Sequence, residues 1–217
     1  MDEKIISYLE SLIEERDPLL NKMEQLAKEE QVPIMDLVGM ETLLQLLRIQ
    51  QPKKILEIGT AIGYSAIRMA KTINKVEIVS IERDEKRFGQ ATQFLQEANL
   101  EDRVHFILGD ATEPHELVEK MAPYDVIFVD AAKGQYERFF TMYEKYLAPT
   151  GIIVTDNVLF KGLVAQSIEE IETKRIKSLV KKIDKFNHWL MEYNKYDTAI
   201  LPVGDGIAIS KLKRCKQ

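Results

Sequence analysis

The 217-residue chain is 45% apolar and 30% charged, enough to fill one generous domain or two small ones and too apolar for a disordered chain. No apolar run approaches the roughly 18 residues of a membrane-spanning helix, and Met1-Asp2-Glu3-Lys4 lacks the basic-then-apolar order of a secretion leader. The single cysteine, Cys215, leaves no intrachain disulfide or cysteine-based zinc site, so a cytoplasmic protein without a membrane partner is expected.

Charge is uneven along the chain. The net −5 divides into −6 over residues 1–50, −4 over 51–160 and +5 over 161–217. The overall sign therefore does not exclude a polyanionic partner.

The first fifty residues read as helices. Ile5, Ile6, Leu9, Leu12 and Ile13 recur at helical spacing, Pro18 suits the start of a second helix, and Leu37, Met40, Leu43, Leu44 and Leu47 form a third stripe between Pro33 and Pro52. From there, short apolar runs at Ile55–Ile58, Val76–Ile81, Val104–Leu108, Val126–Val129 and Ile152–Val154 alternate with helix-favouring segments such as Tyr64–Thr72, Asp84–Ala98 and Tyr136–Leu147. Strands this apolar are buried on both faces, and the alternation predicts a parallel sheet with right-handed crossovers. Thr198–Leu201 and Ile207–Leu212, joined through Val203-Gly204-Asp205-Gly206, read as an antiparallel hairpin. The expected fold is α/β: a Rossmann-like doubly wound, mostly parallel seven-stranded sheet with a C-terminal antiparallel hairpin. It forms one domain over 1–217, with residues 1–50 a helical N-terminal extension and 51–217 the sheet core.

Three motifs carry chemistry. In Leu56-Glu57-Ile58-Gly59-Thr60-Ala61-Ile62-Gly63-Tyr64-Ser65 a buried strand enters a glycine-bearing turn and then a helix, where a ligand of an open α/β sheet sits. Gly-x-x-x-Gly is not the dinucleotide fingerprint, and Glu57 would repel a pyrophosphate. Glu82, ending the next strand, can accept both ribose hydroxyls of a nucleoside. Gly109-Asp110-Ala111 closes the third strand, either reaching the adenine end of that nucleoside or placing Asp110 as a helix cap. Asp130 and the Asp156-Asn157 pair end adjacent strands. Singly they read as caps; jointly, two carboxylates and an amide suit Mg²⁺ or a similar hard ion. His105, His115 and His188 lack zinc-ligand spacing.

The segments Leu56–Ser65, Phe128–Gly134, Thr155–Gly162 and Leu201–Ile207 resemble, in order, the cation-dependent O-methyltransferases, a family that includes catechol, caffeoyl-coenzyme A and bacterial tRNA 5-hydroxyuridine methyltransferases. The resemblance spans nearly the whole chain. It implies S-adenosylmethionine (SAM) against Glu57, Gly59, Gly63 and Ser65, with Glu82 on its ribose, Asp110 and Ala111 near its adenine, and Met35 covering its methionine end. It also implies Asp130, Asp156 and Asn157 on the cation, Asp130 bordering the cofactor as well, and Lys133 as the catalytic lysine beside Asp130. Without the resemblance, Lys133 reads as a surface lysine at a helix start.

An acceptor ligating a cation through two adjacent oxygens is either a catechol or a 5-hydroxyuridine, which offers O5 and O4. Lys174, Arg175, Lys177, Lys181, Lys182 and Lys185 crowd an expected helix, Ile168–Leu190, and Lys211, Lys213, Arg214 and Lys216 mark the tail. These point to a nucleic acid; together with the resemblance, which implies the wobble 5-hydroxyuridine of the tRNA anticodon region, methylated to 5-methoxyuridine, they make tRNA the first choice of acceptor. A small catechol or other vicinal dihydroxy compound is the alternative. A non-catalytic nucleoside- or RNA-binding protein is disfavoured by the intact Asp130, Lys133, Asp156 and Asn157 set. Phe186, Trp189, Tyr193 and Tyr196 either stack a base or, the preferred reading, pack in the core or a dimer interface. The acidic N-terminal helices are expected to cover the cofactor or to meet a second subunit in a homodimer.

Overall fold

A computed structural model describes residues 3–171 and 173–213. Cys215 and the basic Arg214 and Lys216 lie outside the described residues. Three helices come first: α1 (Glu3–Ser11), α2 (Pro18–Glu29) and α3 (Leu37–Gln50). Asp17 and Asp36 cap α2 and α3 by accepting the N–H groups of Leu20 and Gly39, as side chains at that position do. The alternating part runs β1 (Lys54–Ile58), α4 (Tyr64–Thr72), β2 (Glu77–Glu82), α5 (Glu85–Ala98), β3 (Val104–Leu108), α6 (Glu116–Met121), β4 (Tyr124–Val129), α7 (Tyr136–Tyr143) and β5 (Leu147–Thr155). Then come α8 (Lys174–Glu192), β6 (Tyr196–Leu201) and β7 (Ile207–Leu212).

The seven strands form one sheet in the order β3-β2-β1-β4-β5-β7-β6. The first five are parallel, and β7 runs antiparallel to both β5 and β6. This is the Rossmann-like arrangement with a terminal hairpin that the apolar runs predict. Strand order reverses between β1 and β4, and such switch points open a crevice at the strands' carboxyl ends.

Alternation along the strands supplies two cores. Ile55, Ile78, Val126, Phe128 and Val154 face α3, α4 and the buried side of α2, with Met40, Leu43, Leu44 and Leu47 packed on them. Leu56, Ile58, Val79, Ile127 and Ile153 face α7 and α8, meeting Phe139, Phe140, Phe186 and Leu190. Helices α2 and α3 thus share a core with the sheet, whereas α1 buries no residue.

Two expected helices have different bounds. The helix expected from Ile168 begins at Lys174, because Ile168–Glu170 closes a 3-10 turn and Ile171 is extended and buried. The helix expected to reach Leu147 ends at Tyr143, and Leu147 opens β5. The short α6 lacks the length for a legible apolar stripe.

Among the described residues, no helix is long and apolar enough to cross a membrane.

Candidate active site

A cavity of about 630 Å³ lies at the carboxyl ends of β1, β2, β4 and β5. Met35, Gly59, Ser65, Glu82, Asp110, Ala111, Asp130, Lys133, Asp156 and Asn157, all singled out in the sequence, line it. Glu57 and Gly63 stand outside this lining.

The β1–α4 turn approaches the crevice closely. Gly59 has φ +106, and a Cβ there would fall 2.0 Å from the Asp130 carbonyl oxygen. Only glycine lets these two strand ends converge. Behind the wall, Glu57 is fully buried. It accepts a 2.5 Å hydrogen bond from the Ser65 hydroxyl and another from Ser80, and Ser80 shares a 2.6 Å contact with Thr60. Burial is the main cause that pushes the Glu57 carboxyl up to about 8; the serine bonds oppose it, and the Asp130 and Glu82 charges add to it.

Glu82 is already oriented. Its Oε2 accepts from the Ala61 N–H at 2.7 Å, and its Oε1 from Arg83 and Asp84 at 2.9 and 2.8 Å. A carboxylate has about four lone-pair sites, so these three N–H groups leave about one for a ribose hydroxyl. Asp110 does not cap α6, whose cap position is His115; its carboxylate accepts from the Thr112 N–H at 2.8 Å and stays at the cavity wall.

The opposite end is acidic. Asp130 and Asp156 leave neighbouring strands in register, their N–H groups bonded to Ile58 and Val129 at 2.9 and 3.0 Å. Asn157 adopts φ +60 and donates its amide to Asp156 at 2.7 Å. Burial raises both carboxyls, and the Asp130 charge raises Asp156 further. Lys133 is held down by burial, against the pull of Asp130, Asp156 and Asp205. Among the described residues no three or more His, Cys, Asp or Glu side chains converge as metal ligands. The donor set is two carboxylates and an amide, which fits a hard cation that keeps positions for water and acceptor oxygens.

The charged lining residues that sequence reasoning missed include Asp36, Lys161 and Asp205. Asp205 stands between two glycines of the hairpin turn, the one signal that could have drawn attention to it. Asp36 is visible in the sequence only as a helix cap. Nothing local marks Lys161.

All six basic residues of the cluster fall on α8, whose buried residues are Val180, Ile183, Phe186 and Leu190. Lys174, Lys177, Ser178, Lys181, Lys182 and Lys185 line one groove. A Cβ on Gly134, next to Lys133, would meet Lys182 at 3.5 Å, so the lysine face reaches the active-site segment. The aromatics pack inward instead: Trp189 and Tyr193 stack at 4.8 Å, and Phe140 meets Trp189, Tyr193 and Tyr196 edge-on.

The fold, the crevice and this donor set define a methyltransferase of the doubly wound class. An O-methyltransferase family model matches residues 10–213, and the chain belongs to that family. It is 32% identical over 221 residues to the catechol O-methyltransferase of Niastella koreensis, with 97% of each chain covered. It is 28% identical over 173 residues to a caffeoyl-CoA O-methyltransferase of Populus kitakamiensis, covering 78% of this chain and 74% of the relative. The SAH-bound methyltransferase of Podospora anserina is 26% identical, with a TM-score of 0.85 over 98% of this chain and 95% of that one.

Proposed function

We propose that the protein is a SAM-dependent O-methyltransferase assisted by Mg²⁺ or a similar divalent cation, and that its acceptor is 5-hydroxyuridine at the tRNA wobble position. The observation that carries the chemistry is the convergence of Asp130, Asp156 and Asn157 beside Lys133, in a cavity whose other end presents Glu82. Glu82 and the Gly59 turn orient the nucleoside of SAM, and Met35, which is buried, covers its methionine end. Asp130, Asp156 and Asn157 would hold the cation, which when bound lowers the pKa of a ligated hydroxyl. Lys133, its ammonium disfavoured by burial, accepts the hydroxyl proton. The site would hold acceptor and donor in line, and alignment of this kind contributes on the order of 7 to 11 kcal/mol.

The lysine groove favours tRNA, because it continues from Lys182 beside Gly134 along α8 and offers a phosphate backbone a track toward Lys133. The similarity to catechol O-methyltransferase favours the second reading, a small catechol. Nucleoside mass spectrometry of tRNA from a deletion strain separates them. Loss of 5-methoxyuridine with accumulation of 5-hydroxyuridine supports the tRNA reading, and an unchanged profile moves the assignment to the catechol.

A homodimer and a cytoplasmic location belong to the same proposal. Ile5 and Tyr8 on α1 and Leu12 just after it are 50%, 63% and 62% exposed, and a second copy would cover them. Light scattering at the dimer mass is the expected result.

A further inference from the structure

A 5-hydroxyuracil ring carries three polar groups in succession along one edge: the C5 hydroxyl, the C4 carbonyl and the N3–H. With the two oxygens toward Asp130, Asp156 and Asn157, the N3–H enters the cavity as a donor that a catechol lacks. Buried without an acceptor, it would weaken binding.

The cavity's other carboxylates each accept a backbone N–H group or belong to the proposed cation set; Asp110 takes that of Thr112 at 2.8 Å. Glu82 takes three backbone N–H groups at the ribose end. Asp36 accepts the Gly39 N–H at 2.9 Å. Asp130 and Asp156 form the cation set. Asp205 remains: it lines the cavity, is half-buried, and its carboxylate makes no hydrogen bond or ion pair with another described residue. Its charge nonetheless bears on Asp130, Lys133 and Tyr136, so it lies near that end of the cavity.

Its backbone is fixed to the segment that carries Asn157. The Asp205 carbonyl accepts the Leu159 and Phe160 N–H groups at 2.8 and 3.0 Å, and the Gly206 carbonyl accepts that of Val158 at 3.0 Å. Gly206 has φ +92, and a Cβ there would meet Leu159 at 2.4 Å, so the turn lies flush on that segment. An uncommitted acceptor held rigidly beside the cation ligands is what selective recognition of a ring-edge donor requires.

We infer that Asp205 is the specificity-determining acceptor for the N3–H of a 5-hydroxypyrimidine ring, selecting it over a catechol. This assignment rests on the tRNA reading above and names the group that would enforce it.

The test is equilibrium binding, by ligand-observed NMR, of 5-hydroxyuridine and N3-methyl-5-hydroxyuridine to the protein loaded with SAH and Mg²⁺. The wild type is expected to prefer the unmethylated nucleoside by about ten- to a hundredfold. Asp205→Ala is expected to narrow the preference to within about threefold, with Asp205→Asn, which keeps a carbonyl acceptor, in between. Equal binding of the two nucleosides by the wild type overturns the assignment without touching the methyl-transfer reading, and needs no variant to fold. A preference that persists in Asp205→Ala also overturns it. Binding of a catechol with neither nucleoside bound removes the pyrimidine reading, and this assignment with it.

Discussion

The phenolic hydroxyl of Tyr136 donates a 2.9 Å hydrogen bond to the backbone carbonyl of Asp156. Tyr136 is 1% exposed and packs against Phe186 at 5.3 Å, so α7 and α8 together brace the strand end that presents Asp156, a proposed cation ligand. Tyr136→Phe removes the donor and leaves the packing. It is expected to cost about 1 kcal/mol in denaturant unfolding and to weaken Mg²⁺ binding several-fold, with SAM affinity changed less. An unchanged Mg²⁺ affinity would show that Asp156 needs no such brace.

Glu57 makes stability depend on pH in a defined direction. Its folded pKa, about 8, stands above the 4.5 of an ordinary glutamate. The folded state therefore holds a proton that the unfolded state has released between those values. Its stabilising contribution is full below about 4.5, declines as pH rises toward about 8, and is lost above that. Glu57→Gln lacks this titration, so the Tm of the variant should gain on the wild type between pH 5 and pH 8. Asp130 and Asp156 titrate in both proteins, and the variant alters this only through the charge interaction of Asp130 with Glu57. A Tm difference that is flat over that range would contradict the buried, protonated carboxyl.

Lys133 should act on the rate and not on cofactor binding. Lys133→Ala is expected to lower kcat by about a hundredfold or more, while the SAM dissociation constant stays within about threefold. Equal losses in both would assign Lys133 to binding.

The α8 lysines should give salt-dependent docking of tRNA. Reversing Lys177, Lys181 and Lys185 to glutamate is expected to lower kcat/KM on tRNA at least about tenfold and to make the log–log salt slope shallower by about 2. An unchanged slope would show that tRNA docks on another face.

Much of the fold is legible because its strands are apolar on both faces. Ile55–Ile58 and Val126–Val129 stand out as runs, and both lie within observed strands. The bounds that differ come from local competition: the 3-10 turn at Ile168–Glu170 delays α8, and α6 is too short to display a period. Site residues at strand ends, such as Glu82, Asp130 and Asp156, are legible because a doubly wound sheet brings its carboxyl ends together. Asp36 and Asp205 are not, because their place in the cavity depends on how α3 and the β6–β7 turn close over the sheet. No local pattern encodes that closure. Glu57 shows a further limit. Sequence marks a carboxylate in a ligand-binding turn, and only packing against Ser65 and Ser80 reveals that it lies behind the cavity wall.

Cation-assisted transfer to tRNA is tested most directly by following labelled methyl from SAM onto 5-hydroxyuridine-containing tRNA, with the wild type and Asp130→Ala, in Mg²⁺ and in chelator. Wild type with Mg²⁺ should form 5-methoxyuridine, wild type in chelator should form none, and Asp130→Ala should form none in either. Full product from Asp130→Ala, or from the wild type in chelator, would contradict a cation held by Asp130, Asp156 and Asn157.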